Sequence, residues 1–424
     1  MIVKKANKIN GEITVPGDKS ISHRSIMIGS IASGDTFVSG FLQGADCLSS
    51  IDCFTKMGID IENNGTEVVI HGKGMRGLTA PCEGLYVGNS GTTIRLMSGI
   101  LAAANFDTVV SGDASIAKRP MKRIITPLSL MGADIISRDG YTPLQIHGKA
   151  LQGITYNSPV ASAQVKSGII LAGLYADGET KVIEPYKSRN HTELMLKDFG
   201  ADISSDENSA TIKPADKLLG RKVFVPGDIS SATYFMVAAA ITPNSCVTIK
   251  NVGINETRDG IIRVLSMMGA DIKVETIDND SSEPTADITV KTSTLSACEI
   301  GGELIPTLID EIPAIAVMAC FANGTTVIKD AKELKVKESN RIDTVVNNLV
   351  KMGADVVATE DGMIINGGKP LHGATIDSFK DHRIAMSFYV AALNAEGDTN
   401  INDADCVDIS FPGFYALMNQ IVNN

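Results

Sequence analysis

Five times along the chain an apolar segment of helical length runs into the same signal, a glycine, one apolar or small residue and an aspartate. The copies are Met57-Gly-Ile-Asp, Met131-Gly-Ala-Asp, Phe199-Gly-Ala-Asp, Met268-Gly-Ala-Asp and Met352-Gly-Ala-Asp. Glycine directly after the last apolar helical position lets a helix end in left-handed backbone, and the alternating residues beyond it, such as Ile59 and Ile61, predict a strand. A second strand is expected behind a polar turn, at Glu67-Val-Val-Ile, Pro143-Leu-Gln-Ile, Ala210-Thr-Ile, Asp287-Ile-Thr-Val and Met363-Ile-Ile. The five glycines lie on average about 74 residues apart, so six such units account for the chain. The sixth keeps only a C-terminal helix at Phe411-Pro-Gly-Phe-Tyr-Ala-Leu-Met. Its missing strands are expected from the N-terminus, where Ile9 to Val15 reads as a strand.

If the first residues belong with the last, the chain crosses between two halves twice. Val-Pro-Gly-Asp occurs at 15–18 and again at 225–228, at the two ends of three units, and marks the crossings. The expected organisation is a discontinuous first domain of residues 1–17 and 228–424, a second domain of residues 18–227, and an active site in a cleft between them. The first copy continues as Lys19-Ser-Ile-Ser-His-Arg24, whereas the second has Ile229 and Tyr234 in place of the two cations. Only the first is expected to carry chemistry; the second reads as a hinge.

Length alone allows roughly two or three domains. A net charge of -11 opposes a general nucleic-acid or anionic-membrane surface. The start Met1-Ile-Val-Lys-Lys lacks the apolar core of a signal peptide, and runs such as Ala314 to Ala322 are too short to span a bilayer, so a cytoplasmic location is expected. The seven cysteines are scattered without metal-ligand spacing and read as reduced core residues, with no metal.

Between the repeat signals, polar segments precede apolar helices: Lys19 to Arg24, Gly88-Asn-Ser-Gly-Thr-Thr-Ile-Arg95, Lys118-Arg-Pro-Met-Lys-Arg123, Ser162-Ala-Gln-Val-Lys166, Ser188 to Glu193, Asp310-Glu-Ile-Pro313, Lys337-Glu-Ser-Asn-Arg341 and Asp381-His-Arg383. Helix starts offer free N–H groups and a positive dipole end, so their convergence would bind anions. Each has a plainer reading. Lys118, Lys122 and Arg123 suit a solvated face, while Arg119 before Pro120 sits at a helix entrance. Lys337 and Arg341, four apart, suit one ion-paired helix face with Glu338, and Asp310 or Glu311 suits a helix cap. His382 serves equally as a titrating or a structural residue, and His71, His147 and His372 read as turn residues.

Taken in order, Pro-Gly-Asp-Lys-Ser with Ser-His-Arg, Gly-Asn-Ser-Gly-Thr-Thr, Lys-Arg-Pro-Met, Asp-Glu-Ile-Pro, Lys-Glu-Ser-Asn-Arg and Asp-His-Arg-Ile-Ala-Met resemble the 5-enolpyruvylshikimate-3-phosphate synthase family from residue 11 to about 417. The resemblance implies an α/β fold, a two-domain inside-out α/β barrel of six βαβαββ units, three per domain. It implies transfer of the enolpyruvyl group of phosphoenolpyruvate to the 5-hydroxyl of shikimate 3-phosphate, by a monomer, without metal or cofactor. By match to the motifs, Asp310 is the expected base, with Lys19 and Glu338 in proton transfer. Phosphoenolpyruvate falls to Lys19, Asn89, Gly91, Arg119, Gln164, Arg341 and Arg383. Shikimate 3-phosphate falls to Lys19, Ser20, Arg24, Ser162, Ala163, Gln164, Ser188, Asp310 and Lys337. The two domains are expected to close on that ligand, because like-charged helix starts repel until an anion bridges them.

Three positions depart from the family pattern. Ile409 stands where many members carry a lysine two residues before Phe-Pro, which shifts that role toward Lys337 or Arg383. Ser162-Ala-Gln replaces a pair of serines, so one hydroxyl contact becomes a backbone one. Leu96 replaces a proline of the best-known branch, from which lower glyphosate sensitivity is expected. The rival on the same fold, a UDP-N-acetylglucosamine enolpyruvyl transferase, would need a Lys-Asn glycine turn and a loop cysteine, yet no cysteine lies between 82 and 246. An RNA-end cyclase is opposed by the net charge, and a non-catalytic binding descendant by the presence of both Asp310 and Glu338.

Overall fold

All five glycine stops adopt left-handed backbone, with φ between 79° and 95°. At Gly132 the amide donates to the Ser129 carbonyl and the Ala133 amide to the Leu128 carbonyl, both at 3.0 Å, and the same pair of bonds recurs at the other four. Carbonyls of the last turn are thereby satisfied while the chain turns out of the helix axis into a hairpin.

The computed structural model describes residues 1–278 and 281–423. It is a mixed α/β protein with six sheets, and it divides into two compact units. One contains Met1–Pro16, Pro226–Asn279 and Pro284–Asn424; the other contains Gly17–Val225 and Asp280–Glu283. Both main divisions fall inside the Val-Pro-Gly-Asp turns. Ser282 and Glu283, placed by the sequence in the first domain, cluster instead with the second unit, where Glu283 meets His191 Nδ1 at 2.6 Å. Nothing in the residue pattern marked that segment.

Three sheets show the repeat in uninterrupted form. In one, Leu85–Tyr86 lies parallel to Asp107–Ser111, which pairs antiparallel with Tyr141–His147, whose hairpin partner Asp134–Arg138 forms the edge. Helix Gly91–Ala102 makes the first crossover and helix Lys122–Leu130 the second. The sheets around Thr180–Ile183 and Thr325–Ile328 have the same order. Two others exchange their first strand. Lys8–Thr14, which leads into helix Lys19–Ile31, lies parallel to Cys246–Gly253 in the first unit. Lys222–Phe224, which leads into helix Ile229–Ile241, lies parallel to Ser33–Ser39 in the second.

The N-terminus meets the sixth unit with two strands. Ile2–Val3, a strand the residue pattern does not mark, lies antiparallel to Thr399–Asn402. Lys8–Thr14 takes the parallel place beside Cys246–Gly253 and, through Ile9, also pairs antiparallel with Val422 just beyond the C-terminal helix, so the segment Ile9 to Val15 reaches the last unit as expected but only at its first residues.

Each unit has its own apolar core. The first helix of each repeat runs through it: all 13 residues of helix Ile229–Ile241 and all 8 of helix Ile312–Ala319 are buried. The strands share a second signature: buried Thr36, Thr108, Thr180 and Thr326 each pair across the ladder with a buried isoleucine, and buried Thr399 with Val3. The C-terminal helix is anchored by Phe414, whose ring makes edge contacts with Tyr234, Phe235, Tyr389, Phe411 and Tyr415 at 5.3–5.7 Å. In the second unit, helices Gly91–Ala102 and Ala163–Gly173 pack backbone to backbone: a Cβ on Gly99 would stand 2.0 Å from the Gly168 carbonyl oxygen.

The two kinds of glycine separate in a denaturation experiment. Gly200→Ala, in open space at φ 95°, is expected to cost about 1 kcal/mol through backbone strain alone. Gly99→Ala, against rigid backbone, should cost about 3 kcal/mol. Equal shifts of the urea midpoint would show that the helix contact has room to spread.

Candidate active site

In the second unit the predicted residues gather at helix starts. Lys19 is the first residue of its helix, which Asp18 caps by accepting the Ile21 N–H at 2.9 Å, and its ammonium pairs with Asp46. Arg24 is buried. Its Nε donates to Thr192 Oγ1 at 2.6 Å, one terminal nitrogen to Ser167 Oγ at 2.8 Å and the other to the Ser20 carbonyl at 2.9 Å. Burial lowers its pKa to about 10, which still leaves it cationic at neutral pH. Beside it, buried His23 has Nδ1 2.8 Å from Ser50 Oγ, and burial, with Lys19 adding to it, pushes its pKa down to about 3.

At the start of helix Gly91–Ala102, Ser90 accepts the Thr93 N–H at 3.1 Å. Arg95 donates to Gln164 Oε1 at 2.6 Å and to the Pro120 carbonyl at 3.3 Å, Gln164 Nε2 donates to Thr92 Oγ1 at 3.1 Å, and Arg119 donates to Asn89 Oδ1 at 3.2 Å. Asn89, Gly91, Arg119 and Gln164 are thus brought together, with Arg95, to which the sequence assigned no role, tying them. A Cβ on Gly91 would stand 2.8 Å from an Arg95 nitrogen and 3.1 Å from an Arg119 nitrogen. The bare glycine therefore lets two guanidinium groups approach the free N–H groups of a helix start, an arrangement that suits an anion.

Ser162, Ala163 and Ser188 meet around Glu184. Ser162 caps helix Ala163–Gly173, its own N–H donates to Glu184 Oε1 at 2.8 Å, and Ser188 Oγ donates to Oε2 at 2.7 Å. Buried Lys166 donates to the Ser188 carbonyl at 3.1 Å and pairs with Glu184 at 3.1 Å and Glu193 at 2.8 Å. Burial alone would lower the Lys166 pKa, but Glu193 and Glu184 raise it on balance. One signal for this residue was available, a lysine set in the apolar run Val165 to Leu171.

In the first unit all five predicted residues form one ion cluster. Asp310 Oδ1 accepts from Lys337 at 3.1 Å and from Arg341 at 3.3 Å, and Arg383 donates to the Asp310 carbonyl at 3.2 Å. Arg341 also donates to Glu338 at 2.7 Å and, through Nε, to buried Asp381 at 2.9 Å. Burial works against the charge of Arg341, yet Asp381 and Glu338 outweigh it and raise its pKa; Asp381 is held low because Arg341 outweighs the opposing effect of its own burial. Arg383 is likewise raised, with Asp310 overcoming burial.

Several plain readings are corrected here. Glu311, at the N-cap of helix Ile312–Ala319, makes no side-chain cap bond. Lys337 lies ahead of helix Arg341–Lys351, so the two cations converge on Asp310 from a turn and a helix start instead of along one helix face. His71 and His147 sit on strands, each bonded through Nδ1 to a carboxylate at 2.8 Å, from Asp35 and Asp107. In the second Val-Pro-Gly-Asp copy, Asp228 and Ser230 both accept from buried Arg258, at 3.0 Å and 2.7 Å, and Ser230 donates to Glu311.

A family model described as EPSP synthase (3-phosphoshikimate 1-carboxyvinyltransferase) matches residues 3–418. The chain belongs to the EPSP synthase family. A 3-phosphoshikimate 1-carboxyvinyltransferase of Thermoanaerobacter sp. (strain X514) is 58% identical over 420 residues, covering 99% of both chains. Another from Geobacillus kaustophilus (strain HTA426) is 56% identical over 420 residues, covering 98% of both. Among solved structures, EPSP synthase from Acinetobacter baumannii superposes with a TM-score of 0.89 at 49% identity, covering 99% of this chain and 97% of that one. Among the described residues, no group of three or more His, Cys, Asp or Glu is placed to hold a metal ion, and no helix is long and apolar enough to cross a membrane.

His23 gives a pH test. Between 6.5 and about 3 the unfolded chain binds a proton at this position that the folded chain does not. Its contribution to stability is therefore complete above the unfolded value and falls by about 1.4 kcal/mol per pH unit as the solution is acidified. His23→Asn should flatten the decline measured by urea titration between pH 6 and 4.5; an unchanged slope would assign the decline to other groups.

Proposed function

We propose that the chain transfers the enolpyruvyl group of phosphoenolpyruvate to the 5-hydroxyl of shikimate 3-phosphate and releases phosphate, the sixth step of the shikimate pathway toward chorismate and aromatic amino acids. The observation that carries this reading is the convergence of Lys337, Arg341 and Arg383 on Asp310 in a chain of this family. Attack of the hydroxyl oxygen on C2 requires a base for its proton and an acid to protonate C3, which yields a tetrahedral ketal; removal of a methyl proton then expels phosphate. Asp310 serves as the base. Lys337 and Arg341, both donating to one of its oxygens, hold that carboxylate in a fixed position. Lys19 and Glu338 pass the protons to and from C3.

Arg119, Arg341 and Arg383 bind the carboxylate and phosphate of phosphoenolpyruvate, with Asn89, Gly91 and Gln164 beside them; planar guanidinium forks match both anions. Ser20, Arg24, Ser162, Ala163, Ser188 and Lys337 hold shikimate 3-phosphate. With Ile409 in place of a lysine, Arg383 and Lys337 carry the leaving phosphate. On the same reading the enzyme is a cytoplasmic monomer without metal or cofactor. It is built as an inside-out α/β barrel of two domains, 1–17 with 228–424 and 18–227, each of three βαβαββ units.

Phosphate release from phosphoenolpyruvate is expected to depend on shikimate 3-phosphate and to fall at least about 1,000-fold in Asp310→Ala and in Lys19→Met. Release driven by UDP-N-acetylglucosamine instead would overturn the substrate. Leu96 is fully buried in the helix that starts at Gly91. Glyphosate is accordingly expected to inhibit more weakly than it does synthases with proline there, when titrated against phosphoenolpyruvate; equal inhibition would remove any role for that position.

A further inference from the structure

Glu311 is not used in the chemistry above, yet it is among the most enclosed charged side chains of the first unit, 1% exposed. Its Oε1 lies 3.5 Å from a terminal nitrogen of Arg383 and accepts the hydroxyl hydrogen of Ser230. Its Oε2 is buried with no hydrogen-bond partner among the described residues. Such a carboxylate carries a large desolvation cost unless a fixed cation offsets it, and the nearby cation is Arg383. The same Arg383 nitrogen donates to the Asp310 carbonyl, so two successive residues at the start of helix Ile312–Ala319 hold one edge of the guanidinium.

The support for Glu311 comes from the second Val-Pro-Gly-Asp copy. Arg258 donates to Asp228 at 3.0 Å and to Ser230 at 2.7 Å, which turns the Ser230 hydroxyl hydrogen toward Glu311. Asp228 also caps helix Ile229–Ile241 by accepting the Ser230 N–H at 2.9 Å, so the hydroxyl is anchored from both sides. Tyr234, where the first copy has Arg24, is buried close enough to Arg383 to feel its charge. The chain of contacts therefore runs Asp228, Arg258, Ser230, Glu311, Arg383.

We propose that Glu311 is a positioning residue: with Ser230 and Arg258 behind it, it fixes the orientation of the Arg383 guanidinium toward the anionic substrate, so the charge-poor copy of the turn serves binding indirectly. This rests on the reading that Arg383 binds phosphoenolpyruvate. An Arg383 released from Glu311 keeps its charge but loses one defined orientation, and with it part of the bidentate geometry that a phosphate or carboxylate needs.

The test is steady-state kinetics of the full chain. Glu311→Gln keeps the side-chain volume and is expected to raise KM for phosphoenolpyruvate about tenfold while KM for shikimate 3-phosphate stays within about twofold. Ser230→Ala, which alters no charge, should shift KM for phosphoenolpyruvate the same way by about threefold and covers the case in which Glu311→Gln does not fold. In an Arg383→Lys background the effect of either change should vanish. Additive effects, or equal changes in both KM values accompanying a lower melting temperature, would reduce Glu311 to a structural role and overturn the proposal. Arg383→Lys alone separates the two readings. If it leaves KM for phosphoenolpyruvate unchanged, the assignment of Arg383 fails; if it raises that KM while Glu311→Gln and Ser230→Ala do not, only the positioning role fails.

Discussion

A charge on a helix buried on every side must sit at the helix start or be met by partners from neighbouring elements. That constraint shapes both units, because the first helix of each repeat is enclosed by sheets and neighbouring helices, as the fully buried Ile229–Ile241 and Ile312–Ala319 helices show. Desolvating an unmet charge would cost several kcal/mol per ion, so Lys19, Asp310, Glu311 and Arg383 fall within the first two residues of a helix or just ahead of one, while Arg24 and Lys166, deeper in theirs, are met by Thr192 and Ser167 and by Glu184 and Glu193. The same place offers unsatisfied N–H groups and the positive end of the dipole. Packing and anion chemistry thus select the same positions.

The second unit holds its cations by two means. Arg24 and Arg95 donate to hydroxyl, amide and carbonyl oxygens, while Lys19 pairs with Asp46 and Lys166 with Glu184 and Glu193. In the first, Arg341 is saturated by Asp381, Glu338 and Asp310, and Arg383 lies against Asp310 and Glu311. There Asp310 and Glu338, the acids proposed for proton transfer, also hold the cations, so the charges and the proposed base belong to one network.

Repetition explains how one four-residue turn serves two purposes. Both Val-Pro-Gly-Asp copies end the strand that one unit's sheet receives and start the helix that the other unit buries. Asp18 and Asp228 both cap those helices. The copies part only beyond the cap: Lys19 and Arg24 in one, Ile229 and Tyr234 in the other. The second copy turns its polar groups inward to Arg258 and Glu311, contacts that no local pattern announces.

Helix stops, hairpins, the sixfold count and the crossing turns were legible in the residues because each rests on a local cause. Left-handed backbone needs glycine, a hairpin needs alternating apolar positions, and a helix start needs a capping oxygen, all within a few residues. The candidate residues were legible for the same reason, as polar groups placed ahead of apolar helices. How the N-terminal strands divide between the C-terminal ones was not, because Ile2–Val3 and Lys8–Thr14 are both apolar enough and only the packed structure gives Thr399–Asn402 to the first and Val422 to the second. Nor were the partners of the cations: Arg95 with Gln164, Lys166 with Glu184 and Glu193, and Arg383 with Glu311 join residues 18 to 72 positions apart. Sequence determined the periodic elements and the kinds of charge at their ends; tertiary structure decided which charges meet, because a pairing between distant residues depends on how repeats pack and no local rule constrains it.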